Sequence, residues 1–479
     1  MTGNGDQHTL WALLAGAFYV LGVLSAANAL LYKRNTRSAI AWAVSCVTLP
    51  YVAVPLYWLF GKRRFEGYVL ARRSSNAQVR KLAKSLRSHS PDLTGLSDDI
   101  RQMWRVFEKL AAMPFTRGNR VELLIDGEAS FDAIFRKIDT AREYILIQFF
   151  IVRADNLGER IRETLARKVR EGVRVYFLYD QIGSYSLPGR YVRSLQQAGI
   201  QVRAFKTTRG FPNRFQINFR NHRKMVLVDG DWVATGGVNI GDEYLGKSER
   251  FGYWRDTMIA VSGPAVQELQ VSFSEDWYFL SGEVPEMSWE LKAADSSDQS
   301  VLVLPMGPAD ELSTCSMVFT QAIHTAEERL WLTSPYFVPD GEIVRALQLA
   351  ALRGVDVRIL LPEKADHRLV HWASFTYLEE LERTGVRFRR YQKGLLHEKV
   401  MLVDNAFAMV GSANLDNRSF YLNFELSLLV ADSKFTEEVE RMLERDLADS
   451  RESGSAEFRE KGFFFLLLAR ASRLFSPVL

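Results

Sequence analysis

His222-Arg223-Lys224-Met225-Val226-Leu227-Val228-Asp229 and His397-Glu398-Lys399-Val400-Met401-Leu402-Val403-Asp404 carry one pattern, His-x-Lys-x4-Asp, repeated 175 residues apart (397 − 222). A single copy would mean little, since three fixed positions in an apolar strand arise by chance. Matching flanks change that. Each copy is followed by glycine, a small residue and asparagine, in Gly236-Gly237-Val238-Asn239 and Gly411-Ser412-Ala413-Asn414, and then by an acid, Asp256 or Glu425. Period-two alternation puts His and Lys of each copy on one strand face, and Asp229 and Asp404, seven residues on, on the other. By that geometry the aspartates are structural, holding the strand end or the neighbouring turn, and the chemistry rests on His222, Lys224, His397 and Lys399.

Working outward, each half opens with a similar alternation of strand and helix. Tyr144-Ile145-Leu146-Ile147-Gln148-Phe149-Phe150 reads as a buried strand; a charged helix ends at Gly172, and Val173 to Leu178 resumes the sheet. In the second half Leu330-Trp331-Leu332 enters Ser334-Pro335-Tyr336-Phe337, a helix ends at Gly354, and Val355 to Leu361 follows. The expectation is an α/β body built of two related halves, 116–290 and 291–456.

The ends differ from the middle. Leu10 to Tyr32 contains no charge and, at about 1.5 Å per helical residue, reaches about 34 Å, enough to cross a bilayer. Ser38 to Phe60 repeats the pattern, with Lys33, Arg34 and Arg37 in the gap, so residues 1–64 are expected to form a two-helix transmembrane hairpin. A cleaved signal peptide ending near Ala27-Asn28-Ala29 is the rival; no basic residue precedes the run, and Leu30-Leu31-Tyr32 continue it. Residues 65–115 read as a basic linker; with Lys62, Arg63 and Arg64 before it, its Arg72, Arg73, Arg80, Lys81, Lys84 and Arg87 favour a cytoplasmic body and suit either contact with anionic membrane lipid or a solvated amphipathic helix. Residues 457–479 carry Phe463-Phe464-Phe465-Leu466-Leu467-Leu468 with Arg470 and Arg473, too short to span and expected to lie at the interface. Phe205 to Phe215 interleaves aromatic and basic residues, which fits a lipid-facing loop and a plain surface loop equally.

Charge and cysteine narrow the chemistry. Sixty-one basic against 57 acidic side chains leave a net charge of +4, too little field for a nucleic-acid partner. Cys46 and Cys315 are the two cysteines, which excludes a disulfide framework and a cysteine metal site. His367 and His371, four apart on an expected helix, lack a nearby third ligand, so no metal or other cofactor is expected. Two imidazoles and two ammonium groups suit an anionic phosphodiester. The lysines neutralise oxygen charge, Asn239 and Asn414 donate hydrogen bonds, one histidine attacks phosphorus, and the other protonates the departing alkoxide. Asp256 and Glu425 are placed to bond the far nitrogen of each imidazole and fix its tautomer.

With Asn221-His222-Arg223-Lys224, Thr235-Gly236-Gly237-Val238-Asn239-Ile240, Tyr253-Trp254-Arg255-Asp256, the two amino-terminal helices and the ending Leu474-Phe475-Ser476-Pro477-Val478-Leu479, the chain resembles the bacterial cardiolipin synthases of the phospholipase D superfamily. That resemblance implies two α/β halves related by pseudo-twofold symmetry with the site between them. It also implies transfer of phosphatidyl from one phosphatidylglycerol to another in a bacterial inner membrane, without metal, through a phosphohistidine. His222, Lys224, Asp229, His397, Lys399 and Asp404 are its implied active-site residues, with the first histidine as the usual nucleophile. Hydrolysis at the same site, another donor or alcohol, a nuclease, and a homo-oligomer all stay open.

Overall fold

In the computed structural model, residues 3–32, 36–61, 65, 68, 86, 88–91, 98–207, 218–295 and 297–476 are described. The chain divides into two compact units, 1–67 with 207–219, and 68–206 with 220–479. The basic residues expected at 62–87 and most of the aromatic-basic loop, 208–215, lie outside the described residues.

In the first unit, helix α1 (Gly3–Tyr32) holds a 24-residue apolar run, His8–Leu31, long enough to cross a bilayer. The second expected span is not one helix. It is split into α2 (Thr36–Thr48) and α3 (Pro50–Phe60), because Leu49 leaves helical geometry (φ −132°, ψ 56°) where Pro50 begins the next helix. Neither piece alone is long enough to cross, so among the described residues one helix qualifies as a span. The pieces still pack on α1, with Tyr57 donating to Asn28 (2.7 Å) and Trp58 to Ser25 (3.1 Å).

Among the described residues, the second unit is a mixed α/β body on one 16-stranded sheet with two further two-stranded sheets. Its amino-terminal half supplies β1 (Thr116–Ile125), β2 (Tyr144–Phe149), β3 (Arg174–Asp180), β4 (Gln201–Phe205), β5 (Arg220–Asn221), β6 (Met225–Val228), β7 (Trp232–Gly236), β8 (Trp254–Arg255) and β9 (Thr257–Ser262). The other half supplies β10 (Gln299–Met306), β11 (Arg329–Thr333), β12 (Phe337–Val338), β13 (Asp356–Pro362), β14 (Arg387–Tyr391), β15 (Leu395–Leu396), β16 (Val400–Val403), β17 (Phe407–Gly411), β18 (Leu415–Asp416), β19 (Asn423–Ala431) and β20 (Ser450–Ser453). The strand order β1-β9-β7-β6-β2-β3-β4 recurs as β10-β19-β17-β16-β11-β13-β14, and antiparallel pairing of β1 with β10 joins the two runs. In each run the last three strands are parallel and linked through helices, Asn156–Arg170 and Gly189–Gln197 in one, Gly341–Leu352 and Arg368–Glu382 in the other.

Sequence explains why the runs match. Strands β2, β6 and β16 are buried at every position, which suits their unbroken apolar stretches and a sheet covered on both faces. Asp155 and Asp340 start equivalent helices by accepting from the backbone of Gly158 (3.1 Å) and of Glu342 and Ile343 (2.9 Å each). Each half has its own apolar core, one centred on Ile145, Phe177 and Val226, the other on Leu332, Ile359 and Met401. At the carboxyl end, helix Phe463–Arg473 packs Phe465 and Leu466 inward and leaves Phe463, Phe464, Leu467 and Leu468 exposed.

Candidate active site

The motif strands begin later than their alternation suggests. β6 starts at Met225 and β16 at Val400, one residue past each lysine. The reason lies across the molecule. β5 pairs in parallel with the start of β19 (Arg220 with Asn423, Asn221 with Phe424), and β15 with β8 (Leu395 with Trp254, Leu396 with Arg255). The ladder continues into the histidines themselves: His222 N–H donates to the Phe424 carbonyl (2.8 Å) and His397 N–H to that of Arg255 (2.7 Å). Each motif histidine is therefore docked on the other half, beside the residue that precedes that half's acid.

The side chains follow. His222 Nδ1 meets Glu425 at 2.9 Å, and His397 Nδ1 meets Asp256 at 2.7 Å, so the expected acid-histidine pairs exist and both cross between halves. Phe150 packs edge-on against the His222 ring at 4.8 Å, while Trp254 lies 5.2 Å from His397. Lys224 Nζ donates to the His222 carbonyl (2.6 Å), and Lys399 Nζ lies 2.9 Å from His397 Nδ1. All six groups are buried.

Burial pushes His222 down to about 4 and also lowers His397, with the nearby acids opposing the shift. Burial lowers both lysines as well. For the acids burial works the other way, yet Lys399 and His397 hold Asp256 below the usual carboxylate range, and His222 and Lys224 do so for Glu425. The charge of Lys399 is felt at both His222 and Lys224, which places the two motifs in one electrostatic cluster. An ionised carboxylate only accepts, so His222 Nδ1 carries the proton and its Nε2 presents a lone pair, whereas His397 Nδ1 faces both Asp256 and the Lys399 amine. The His222 imidazole is thus a ready nucleophile or base.

Small residues make room for these pairs. A Cβ on Gly237 would stand 2.0 Å from Asp256 Oδ1. Its counterpart Ser412 instead donates to Glu425 (2.5 Å), which also takes bonds from Ser419 (2.8 Å) and Asn423 (3.1 Å). Ser419 and Asn423 escaped the motif reading; the Gly-Gly to Gly-Ser difference between the copies was the available signal. Asn239 bonds the Ile151 N–H (3.0 Å) and the Tyr244 hydroxyl (3.1 Å); the buried Oδ1 of Asn414 meets no donor among the described residues, while its backbone N–H donates to Ser419 (3.0 Å).

Asp229 and Asp404 stand at the far ends of β6 and β16 from the histidines. Asp229 accepts from the N–H groups of Arg142, Glu143 and Tyr144, and Asp404 from those of Glu327, Glu328 and Arg329, all within 3.0 Å. Both occupy left-handed backbone (φ 51° and 48°), which Asp tolerates. The structure thus gives them the turn-holding contacts expected from alternation, and they do not touch the reacting groups. His367 lies exposed beside Asp366, and His371 packs edge-on against Phe375; no metal-ligating group of three occurs among the described residues.

The family described as "Cardiolipin synthase, PLD-like domain" matches residues 134–277 and 319–447. The chain belongs to that family. A "Phospholipase_D-nuclease N-terminal" segment matches residues 17–62. "Cardiolipin synthase A" of Pseudomonas fluorescens Pf-5 is 47% identical over 98% of both chains, and that of Pseudomonas entomophila L48 is 45% identical over 99% of this chain and all of its own. Among solved structures, phosphatidylserine synthase of Haemophilus influenzae shares the fold, with a TM-score of 0.61 at 17% identity over 79% of this chain and all of that one. With its apolar amino-terminal helix, this family member is a membrane protein.

Proposed function

We propose that this enzyme transfers a phosphatidyl group from one phosphatidylglycerol to a hydroxyl of another, giving cardiolipin and glycerol. The observation that carries the reading is the pair of buried histidines, each oriented by an acid from the opposite half, in a chain nearly half identical to cardiolipin synthases over its whole length. His222 Nε2, kept unprotonated by burial, attacks phosphorus while the bond to glycerol oxygen breaks. His397 enters the reaction protonated, because the bound phosphodiester adds a negative charge that favours the imidazolium. It gives that proton to the departing glycerol, then takes one from the incoming hydroxyl, whose oxygen displaces the phosphohistidine nitrogen. Lys224 and Lys399 turn from the carbonyl and ring they touch at rest towards the phosphoryl oxygens, with Asn239 and Asn414 as further donors. Asp229 and Asp404 support the site through the strand ends.

The same reading includes the membrane arrangement. α2 and α3 together form a second, Pro-broken crossing packed on α1, which makes the protein multi-pass in the bacterial inner membrane with the body on the cytoplasmic side. The two halves, 116–290 and 291–456, are related by pseudo-twofold symmetry, and 457–479 lies at the interface. Anchoring holds the site beside a lipid alcohol and favours transfer over hydrolysis.

The test uses the purified full chain in phosphatidylglycerol liposomes with EDTA, with lipid products resolved by mass spectrometry. Cardiolipin and glycerol in equal amounts, absent in His222→Ala and His397→Ala, are expected. Phosphatidic acid alone would make the enzyme a hydrolase, and unchanged lipid would end the reading.

A further inference from the structure

Each motif has a middle residue between its histidine and its lysine, and the two differ in charge: Arg223 in one copy, Glu398 at the same place in the other (398 − 223 = 175). Both side chains are buried in ion pairs, and the transfer chemistry above uses neither. Desolvating a charge is expensive, so the contacts each one makes need an account.

Those contacts converge on the main chain at the two acids. Arg223 Nε donates to the Glu425 carbonyl (3.2 Å), and its guanidinium stands 5.5 Å from the ring of Phe424. Asp276, in helix Ala265–Ser281, accepts from Arg223 Nη1 at 3.0 Å and is itself held by Tyr68 (2.6 Å), Gln148 (2.6 Å) and Asn221 (2.8 Å). In the other copy the polarity is reversed, because the arginine is the residue before the acid. Arg255 Nη1 donates to the Asp256 carbonyl (2.7 Å), and its Nη2 stands 3.0 Å from Glu398. Asp446, in helix Ser433–Ala448, accepts from Arg255 Nε and Nη2 (2.8 and 2.7 Å). The Thr257 hydroxyl accepts from Arg255 Nη1 (3.1 Å) and donates to Glu398 (2.9 Å). On both sides a buried arginine thus bonds the carbonyl of the acid that orients the opposite motif's histidine.

We propose that Arg223 and Glu398 are positioning residues, each tying its own motif to the main chain at the other half's acid, Arg223 directly and Glu398 through Arg255. The inference rests on the transfer reading above. The His397 N–H already bonds the Arg255 carbonyl (2.7 Å), so the grip of Glu398 on the same residue's guanidinium gives the His397–Asp256 pair a second fixed point. A misplacement of about 1 Å in such a pair costs about a hundredfold in rate.

The two middle residues therefore serve different halves of one step. Arg223 supports Glu425 and the attacking His222, whereas Glu398 supports Asp256 and His397, which protonates the departing glycerol oxygen. A leaving group that departs as an anion needs only the first. With phosphatidyl-p-nitrophenol, His222 Nε2 bonds to phosphorus, the P–O bond to the ring oxygen breaks, and nitrophenolate leaves with the electron pair and without a proton.

The experiment compares these two donors in single turnovers, with full-length enzyme in detergent in excess over lipid, so that rate constants report the folded molecules alone. Glycerol release from phosphatidylglycerol is measured against nitrophenolate release from phosphatidyl-p-nitrophenol. Glu398→Ala and Arg255→Lys are each expected to slow glycerol release about tenfold, part of what general acid catalysis supplies, and to leave nitrophenolate release within about twofold. Glu398→Gln keeps an oxygen for Arg255 and Thr257 and should recover most of the rate, since burial already raises Glu398 towards its neutral form against the charge of Arg255. Arg223→Lys, which cannot serve Asp276 and the Glu425 carbonyl together, should slow both releases about equally. Equal losses on the two donors in Glu398→Ala, or no loss on either, would overturn the positioning role. Unaltered enzyme that releases nitrophenolate but no glycerol would instead overturn phosphatidylglycerol as donor, and with it the reading beneath this one.

Discussion

The surroundings of His222 and His397 are built on one backbone plan and finished with different side chains. Each histidine docks by its backbone on the opposite half and bonds an acid there. Around Glu425 stand two hydroxyls and an amide. Around Asp256 a glycine leaves space, one backbone N–H donates (2.9 Å), and Trp254 and Tyr244 pack on the histidine. A repeated strand order supplies two equivalent imidazoles and surrounds them with unequal neighbours. Polar contacts fix the carboxylate on one side, and shape fixes it on the other.

The comparison breaks first at the histidines. Removing either should lower cardiolipin formation by about a thousandfold or more, since members of such a set act as a unit. The two variants should nevertheless differ in what they trap. His397→Ala should still form a phosphoenzyme with phosphatidylglycerol, slowly, and His222→Ala should form none, as read by mass spectrometry of acid-sensitive adducts on the intact protein. Adduct on His397 alone would reverse the roles.

The acids come next. Glu425→Gln and Asp256→Asn should each cost about a hundredfold or more, because a neutral amide no longer demands the Nδ1–H tautomer. Glu425→Ala should also lower the unfolding midpoint more than Asp256→Ala does, since it strands Ser412, Ser419 and Asn423, at about 1–3 kcal/mol for buried polar groups left unpaired. Equal midpoints would show that the denser network adds nothing to stability.

Smaller effects sharpen the contrast between shape and polarity. Gly237→Ala forces Asp256 to move and should reduce activity about tenfold or more, whereas Ser412→Ala removes one hydrogen bond and should cost only several-fold. Steady-state rates on the same vesicles decide between them.

The mildest prediction concerns pH. His222, folded, holds off its proton until about 4, whereas the unfolded chain takes it near 6.5, so between these values the unfolded state binds more protons and stability falls as pH falls. The lowered Glu425 acts in the same direction, losing its contribution as it protonates. Burial also puts His371 near 4, with the same sign. Thermal unfolding at pH 5 should therefore show about 2 kcal/mol less stability per such histidine than at pH 7, and His371→Asn should flatten the slope without touching the active site. A slope unchanged in that variant would remove His371 from the account.

Much of this was legible beforehand at the level of local pattern. The repeated motif marked the two histidines and lysines, alternation set Asp229 and Asp404 apart from them, and the trailing acids were recognised as histidine partners. Two features were misread for one physical reason. The motif strands start late because the residues before them pair with a distant segment, and the second apolar run breaks at Leu49-Pro50 although its composition alone is continuous. Composition and period report what a segment can do by itself; they carry no information on which distant backbone will claim its hydrogen bonds.

By itself, then, the sequence determined the α/β repeat, the apolar amino terminus and the kinds of groups in the site, because hydrophobic period and residue chemistry are local properties. Only the tertiary structure decided that each histidine is served by the acid of the other half. Those juxtapositions arise from β5 and β15 crossing to pair with β19 and β8, and hydrogen bonds between remote strands are set by the packing of the whole sheet.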